Sequence, residues 1–257
     1  MSSAQEQYTN EMKKRFGYYA TWNPGLPLSL GDFGVLEGNI FRKISNLTEI
    51  NLNFEIEEDP NESDLEHNSH GNISIKTKVA GSASIPNSSL SINDAGLIIE
   101  FGKENSTLFK ATHTVSPTIK DVLKIGATII KLFKAGKWDK NWVVITELVV
   151  AKTSTIIISN SSNGLIELKA NANVDAVSFD LADAAFNFSV SSSRGLETKI
   201  ISGSGLTPLF RIMGIKAFPL TQTKFTAKSV RPIDMVIPET ASEETIFFGL
   251  ISDDPRE

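Results

Sequence analysis

Apolar and polar residues alternate along several short segments of this chain. Residues 73–79 place apolar or threonine side chains at every second position, which is the pattern of a strand with one face in water. Residues 97–101 and 106–115 show related patterns on either side of residues 102–105, which include a glycine and an asparagine. Because these two residue types favour tight turns, the arrangement predicts a β-hairpin.

A second group of segments is more uniformly apolar. Residues 142–150 and 153–159 contain few polar positions, which predicts two strands covered on both faces. Residues 165–170 and 196–201 are also predicted strands, and residues 176–190 predict a pair of strands. A chain with this many strands favours a twisted, mostly antiparallel β-sheet.

One segment has a clear helical periodicity. Apolar residues recur at helical spacing between residues 116 and 135. Ser116 suits the N-cap, Pro117 suits the first helical position, and Gly136 suits the residue that ends the helix. A short second helix is predicted at about 206–213. The predicted fold class is therefore α+β, with one principal helix packed on the sheet.

The composition suits a packed domain with an acidic tail. Of the 257 residues, 40% are apolar and 21% are charged, so a large core can form. We predict one β-rich domain over residues 1–231 and an acidic tail over residues 232–257. The tail has seven acids and one base, and residues 55–66 have seven acids and no base. We interpret residues 55–70 as a surface loop, and both acidic segments either as solvated surface or as screens for a basic surface.

The sequence contains no recognisable catalytic constellation. The absence of cysteine excludes disulfides, thiolate metal sites and a cysteine nucleophile. No Gly-x-Ser-x-Gly, P-loop or dinucleotide-binding motif is present, and the net charge of −5 gives no support for nucleic-acid binding. His67 and His70 do not have the spacing of zinc ligands. We therefore expect no catalytic residues, no metal and no cofactor, in a protein that is not an enzyme.

Basic residues lie beside aromatic residues near the N-terminus. A short helix predicted over residues 5–15 ends in a basic run, and the aromatic residues follow it directly. Basic and aromatic side chains together are favoured at membrane interfaces, but such a segment can also dock on its own domain, which is the alternative that we favour. The candidate lipid-binding residues of this segment are Lys13, Lys14, Arg15, Tyr18, Tyr19 and Trp22.

The principal helix also has a basic face, and the tail has an apolar pair. The helix lysines either form a solvated face or contact anionic lipid; the candidates are Lys120, Lys124, Lys131 and Lys134. Phe247 and Phe248 are predicted to anchor the acidic tail to the domain. The N-terminal residues lack the pattern of a secretory signal, which predicts a cytoplasmic location.

Taken in order along the chain, these elements resemble the pore-forming domain of gasdermins. Four groups of residues carry the resemblance: an early strand and helix entry, a strand of small residues, a strand that leads into a helix, and an apolar strand that ends in an acid. They are residues 27–30 with 46–50, then 79–85, 109–123 and 142–148.

This resemblance implies a protein that binds an anionic lipid membrane on activation and assembles with copies of itself into a pore. The basic N-terminal segment and the basic helix would contact lipid. The regions at about 72–115 and 142–190 would refold into membrane hairpins. Residues 232–257 would hold the protein inactive in solution until a protease or a protein partner removed or displaced them.

Two alternatives remain open. The first is a non-enzymatic β-rich module that binds another protein and has no effect on lipid. The second is a hydrolase whose active site is dispersed along the chain, which would require a deep pocket lined by acids with perturbed pKa values.

Overall fold

The computed structural model describes residues 3–69, 71–83, 85, 88–171, 188–201, 205–219 and 244–251. Strands account for most of the elements, and a 3-10 turn lies at Leu47–Ile50. In chain order the helices and strands are α1 (Ala4–Phe16), β1 (Tyr19–Ala20), β2 (Asp32–Glu37), β3 (Ile40–Asn46), β4 (Ile56–Glu57), β5 (Ser63–Asn68), β6 (Ile73–Lys78), β7 (Gly96–Phe101), β8 (Thr107–Val115), β9 (Thr118–Ile119), α2 (Val122–Lys134), β10 (Trp142–Ser159), β11 (Gly164–Ala170), β12 (Phe188–Arg194), β13 (Leu196–Ile201), β14 (Leu206–Pro219) and β15 (Glu244–Leu250).

The chain forms two compact units, each assembled from three stretches of sequence. The first comprises Met1–Pro27, Pro60–Val115 and Val149–Leu209. The second comprises Leu28–Asp59, Ser116–Leu148 and Phe210–Glu257.

In the first unit, one sheet is packed on both of its faces. This sheet contains β5, β8, the second part of β10, and β13, all antiparallel. Side chains on one face pack with Tyr8 and Met12 of α1, whereas Leu108 and Ile157 on the other face pack against a second sheet. The second sheet has the order β12-β11-β7-β6. Since β8 and β10 are covered on both sides, their apolar residues are buried in either orientation.

Helix α1 begins and ends as its sequence dictates. The Ser3 side chain accepts a hydrogen bond from the Glu6 N–H, and the Glu6 carboxylate accepts one from the Ser3 N–H, which forms a capping box. Gly17 ends the helix in the left-handed conformation at φ 75°. The helix predicted over residues 5–15 is therefore confirmed.

In the second unit, a sheet supports helix α2. Strand β14 lies between β15 and the first part of β10. The same part of β10 also pairs with β2, and β2 pairs in turn with β3. Short strands β4 and β9 pair with each other, and β9 also pairs with β10. Phe33, Trp138 and Trp142 form an aromatic cluster in this unit, with ring centroids 4.9 to 5.3 Å apart.

The predicted fold class is confirmed, because the structure is a mostly antiparallel β protein with helices packed on it. The principal helix begins at Val122 instead of Ser116, since residues 118–119 pair as strand β9 and Asp121 provides the N-cap. Its end is as predicted: Gly136 has φ 70° and donates its N–H to the carbonyl of Phe133 at 2.9 Å.

The short helix predicted at 206–213 is wrong, because these residues belong to strand β14. Leu209, Phe210, Ile212 and Met213 are all buried. A continuous apolar run of this length fits a buried strand as well as a buried helix, and pairing with neighbouring strands decides between them.

The predicted hairpin of residues 97–101 and 106–115 is also wrong. Strand β7 pairs with β6 and β11, whereas β8 pairs with β5 and β10, so the two strands belong to different sheets. Residues 102–106 therefore connect two packed sheets instead of closing a hairpin.

Two further predictions are corrected by pairing. The acidic segment 55–70 contains strands β4 and β5, because an edge strand such as β5 tolerates carboxylates that face water. The two strands predicted at 142–150 and 153–159 form the single 18-residue strand β10. A strand pair is also predicted at 176–190, but residues 176–187 lie outside the described residues. The predicted domain boundary at residue 231 lies outside them too, so the division into a domain and an acidic tail stays a prediction.

Candidate functional site

Helix α2 separates an apolar face from a basic face. Ile125, Ile129 and Ile130 are buried, whereas Lys124, Lys131 and Lys134 are exposed. The Asp121 side chain caps the helix by accepting the Lys124 N–H at 3.2 Å. The three lysines of the helix therefore face solvent from an element that is fixed by its apolar side, which is the arrangement of an interfacial helix as well as of an ordinary surface helix.

Lys120 lies just before α2 and is already paired. Its ammonium contacts the Glu55 carboxylate at 3.1 Å, and both side chains are largely exposed. An exposed pair of this kind is weak, so Lys120 can exchange its partner at little cost. An open groove of about 670 Å³ lies beside it, with Lys124, Phe54 and Ile125 among its lining residues.

The described part of the acidic tail is strand β15, which packs directly on α2. Phe248 is 5% exposed. A Cβ built on Gly126 would lie 2.9 Å from Cβ and from Cδ1 of Phe248, so the glycine allows the strand to approach the helix this closely. Phe247, the other predicted anchor, is partly buried. The sequence signal for this contact was a glycine inside a helix, which usually has a packing reason.

The basic N-terminal residues are only partly available to a ligand. Lys13 donates a hydrogen bond to the Tyr19 hydroxyl at 3.1 Å, and its ammonium lies 4.3 Å from the centroid of that ring. Lys14 and Arg15 are exposed. Tyr19 is 4% exposed, so in this conformation its ring cannot face a membrane.

The other two aromatic candidates pack in the same way. Tyr18 and Trp22 lie against the core cluster of the first unit, and the Trp22 ring is 6.1 Å from that of Tyr8. In this conformation the aromatic residues therefore dock on their own domain instead of facing a membrane. Of the six N-terminal candidates, only Lys14 and Arg15 are exposed.

The histidine considered as a metal ligand has another role. His67 Nε2 lies 3.0 Å from the Glu11 carboxylate, which also accepts the Ser69 hydroxyl at 2.9 Å. Within the described ranges, no three histidine, aspartate or glutamate side chains are grouped as metal ligands. His70 lies outside those ranges. Nor is any described helix both long enough and apolar enough to cross a membrane.

Comparison of the chain with protein-family models, curated proteins and solved structures gives no significant match.

Proposed function

We propose that this protein binds anionic membranes and forms pores in the manner of gasdermins, and that its C-terminal residues keep it inactive in solution. One observation carries the proposal: α2 presents its lysines to solvent on one side, while Phe248 of the tail seats against Gly126 on the same helix. The element with the best charge for a lipid surface is thus in contact with the element that we expect to be released.

Charge supports this assignment. Lys124, Lys131 and Lys134 are exposed on one helix. A lysine near an anionic surface contributes about 1 kcal/mol of attraction at physiological salt. Three such residues on one helix face support salt-sensitive binding to an anionic surface.

Strand length also supports it. A strand that crosses a bilayer needs about 9–11 residues. Strand β8 has nine residues and β10 has 18. Both lie inside the regions that the resemblance assigns to membrane hairpins.

The test is dye release from vesicles that contain phosphatidylserine. A protease site inserted after Arg231 in the full chain allows the tail to be cut after the protein has folded. We expect release only after cutting, and loss of release in neutral vesicles or at high salt. Folded, cut protein that releases no dye from anionic vesicles overturns the proposal and leaves the protein-interaction module as the better reading.

Charge variants sharpen this test. Lys124→Gln combined with Lys131→Gln and Lys134→Gln should weaken vesicle binding by about 100-fold, given about 1 kcal/mol per lysine. The matched control is Lys103→Gln combined with Lys152→Gln and Lys140→Gln, which removes three exposed lysines outside α2. Equal loss of binding in both triple variants would show that net charge matters, not the helix face.

A further inference from the structure

A short segment of the first unit covers the outer face of the sheet β12-β11-β7-β6. We call residues 88–94 the strap; they lie in the connection between β6 and β7. Leu90 is 4% exposed and packs with Ile98 and Leu165. The neighbouring residues Leu97 and Ile166 point the other way, into the core between the two sheets. The strap therefore lies on the side of the sheet that would otherwise face water.

A buried lysine holds the strap from β6. Lys78 is 1% exposed, although lysine is rarely buried to this extent. Its ammonium donates hydrogen bonds to the carbonyls of Leu90, at 2.9 Å, and Ser91. Both acceptors belong to the strap.

A buried glutamate holds the strap from β11. Glu167 is also 1% exposed. Its carboxylate accepts the Ser89 N–H at 3.0 and 3.1 Å and the Ser89 hydroxyl at 2.6 Å. At the end of the strap, Asp94 pairs with Lys169 of the same strand at 2.7 Å.

A glycine in the sheet leaves space for the Leu90 side chain of the strap. Gly96 of β7 lies between Lys78 and Lys169 in the strand register. A Cβ on Gly96 would lie 2.9 Å from Cδ1 of Leu90 and 2.2 Å from the carbonyl oxygen of Leu168. The Leu90 side chain thus occupies space that any other residue at position 96 would fill.

Opposing contributions set the stability of the closed strap. Burying Lys78 and Glu167 takes two charges out of water, and their hydrogen bonds to the strap offset this cost. When the strap leaves, both charges regain water. Among its large apolar side chains, only Leu90 then loses a buried site, because Ile92 is already 56% exposed. Opening the strap therefore costs much less free energy than separating the strands beneath it.

We propose that the strap is a latch, which opens as a unit while the sheet beneath it stays folded. Opening exposes the outer face of the sheet with Lys78 and Glu167, and frees residues 88–94 from their contacts with it. The use of this opening as the first step of membrane conversion rests on the proposed function. The opening itself does not, since it follows from the contacts of the strap alone.

The natural absence of cysteine provides a direct test. Leu90→Cys places a single thiol under the strap, and Leu97→Cys places one in the core on the opposite face of the same sheet. With the full chain in buffer, we expect a thiol reagent to modify the first variant at least about tenfold faster than the second. Adding Ser89→Ala removes one hydrogen bond to a charged group and should raise the Leu90→Cys rate by about a further tenfold.

The control in the same segment is Ser91→Ala, which keeps the main-chain carbonyl that Lys78 contacts and should leave the rate unchanged. Equal labelling rates for the two cysteine variants, or an equal effect of Ser89→Ala on both, would overturn the latch, because both results indicate opening of the whole unit. Hydrogen exchange on the unaltered chain is an independent test of strap opening: the backbone amides of the strap should exchange well before those of β7. Simultaneous exchange of strap and β7 contradicts the proposal even where a cysteine variant fails to fold.

Vesicle measurements separate the latch from the proposed function. Faster labelling of Leu90→Cys than of Leu97→Cys, without dye release by the cut protein, supports the latch and overturns pore formation. Dye release without early labelling supports pore formation and overturns the latch.

Discussion

The Glu11 carboxylate of α1 accepts a hydrogen bond from Nε2 of His67 on β5, at 3.0 Å. The two residues are 56 positions apart in sequence, and Ser69 adds its hydroxyl to the same carboxylate. This contact ties α1, and with it the basic N-terminal residues, to the edge of the sheet.

The pKa of Glu11 makes this contact sensitive to acid. Burial raises the pKa, but hydrogen bonds from His67, Gln7 and Ser69 outweigh it, so the net pKa lies below the ordinary value of 4.5. A carboxyl group with a lowered pKa stabilises the fold above pH 4.5, and this contribution is lost as the pH falls through the pKa of the folded state. Glu11→Gln should therefore lower the free energy of unfolding by about 1–3 kcal/mol at pH 7, and by progressively less below pH 4.5.

Urea unfolding of the two proteins across this pH range checks the prediction. Glu104→Gln, at an exposed position of the same unit, serves as the control. It should leave the free energy of unfolding unchanged throughout the pH range. If the loss of unfolding free energy caused by Glu11→Gln stayed constant down to pH 3, the ionised carboxylate could not be the source of that loss.

The packing of Phe248 on Gly126 predicts a coupled pair of substitutions. Gly126→Ala should lower the free energy of unfolding by about 1–3 kcal/mol, because the new methyl group collides with Phe248. In a Phe248→Ala background the same change should become neutral or stabilising, since alanine favours a helix by about 1 kcal/mol over glycine. Thermal unfolding of the four proteins of this cycle gives the coupling, and strict additivity would refute the contact.

Gly34 in β2 has a second strict requirement for space. A Cβ there would lie 1.9 Å from the carbonyl oxygen of Arg42, beside the irregularity in the β2–β3 register. Gly34→Ala should cost about 3 kcal/mol or more, measured by urea unfolding. Gly102→Ala is the control, because its nearest contact would be an ordinary 3.6 Å to the carbonyl oxygen of Asn72; a similar loss at both positions would point to general glycine effects instead.

The aromatic cluster of the second unit should be visible to spectroscopy. Phe33 contacts both Trp138 and Trp142, at 4.9 and 5.3 Å between ring centroids. Phe33→Ala should destabilise the protein by about 3–5 kcal/mol and reduce the near-UV circular dichroism of the tryptophan pair. Phe33→Leu, which fills most of the space, should cost no more than about 1.5 kcal/mol, and an unchanged spectrum in the alanine variant would argue against the cluster.

Local sequence patterns predicted the elements better than their partners. The alternation in residues 73–79 and the glycine that follows α2 identify a strand and the end of a helix directly, because the relevant physics lies within a few residues. Whether β7 pairs with β8 or with β6 and β11 depends on contacts distant in sequence, which no local pattern records. The apolar run in β14 is ambiguous for the same reason.

The candidate site shows a similar division. The exposed lysines of α2 were predictable from helical periodicity, whereas the burial of Tyr19 and the contact between Gly126 and Phe248 require the tertiary structure. Lys78 and Glu167 occupy polar positions of alternating strands, so their sequence context predicts exposed residues. Their contacts with the strap, which no local pattern predicts, accompany their burial.

The separation of β7 and β8 into two sheets has a consequence for timing. Pairing these strands with each other would require each to free one edge, so β7 would have to leave β6 or β11, and β8 would have to leave β5 or β10. At least two existing ladders must break before the new one can form, so such a conversion would have a high activation enthalpy. Its rate should rise about 3- to 6-fold for each 10 °C, as global unfolding rates do, and a chilled sample could hold a tail-cleaved protein in its folded form long enough for it to be isolated.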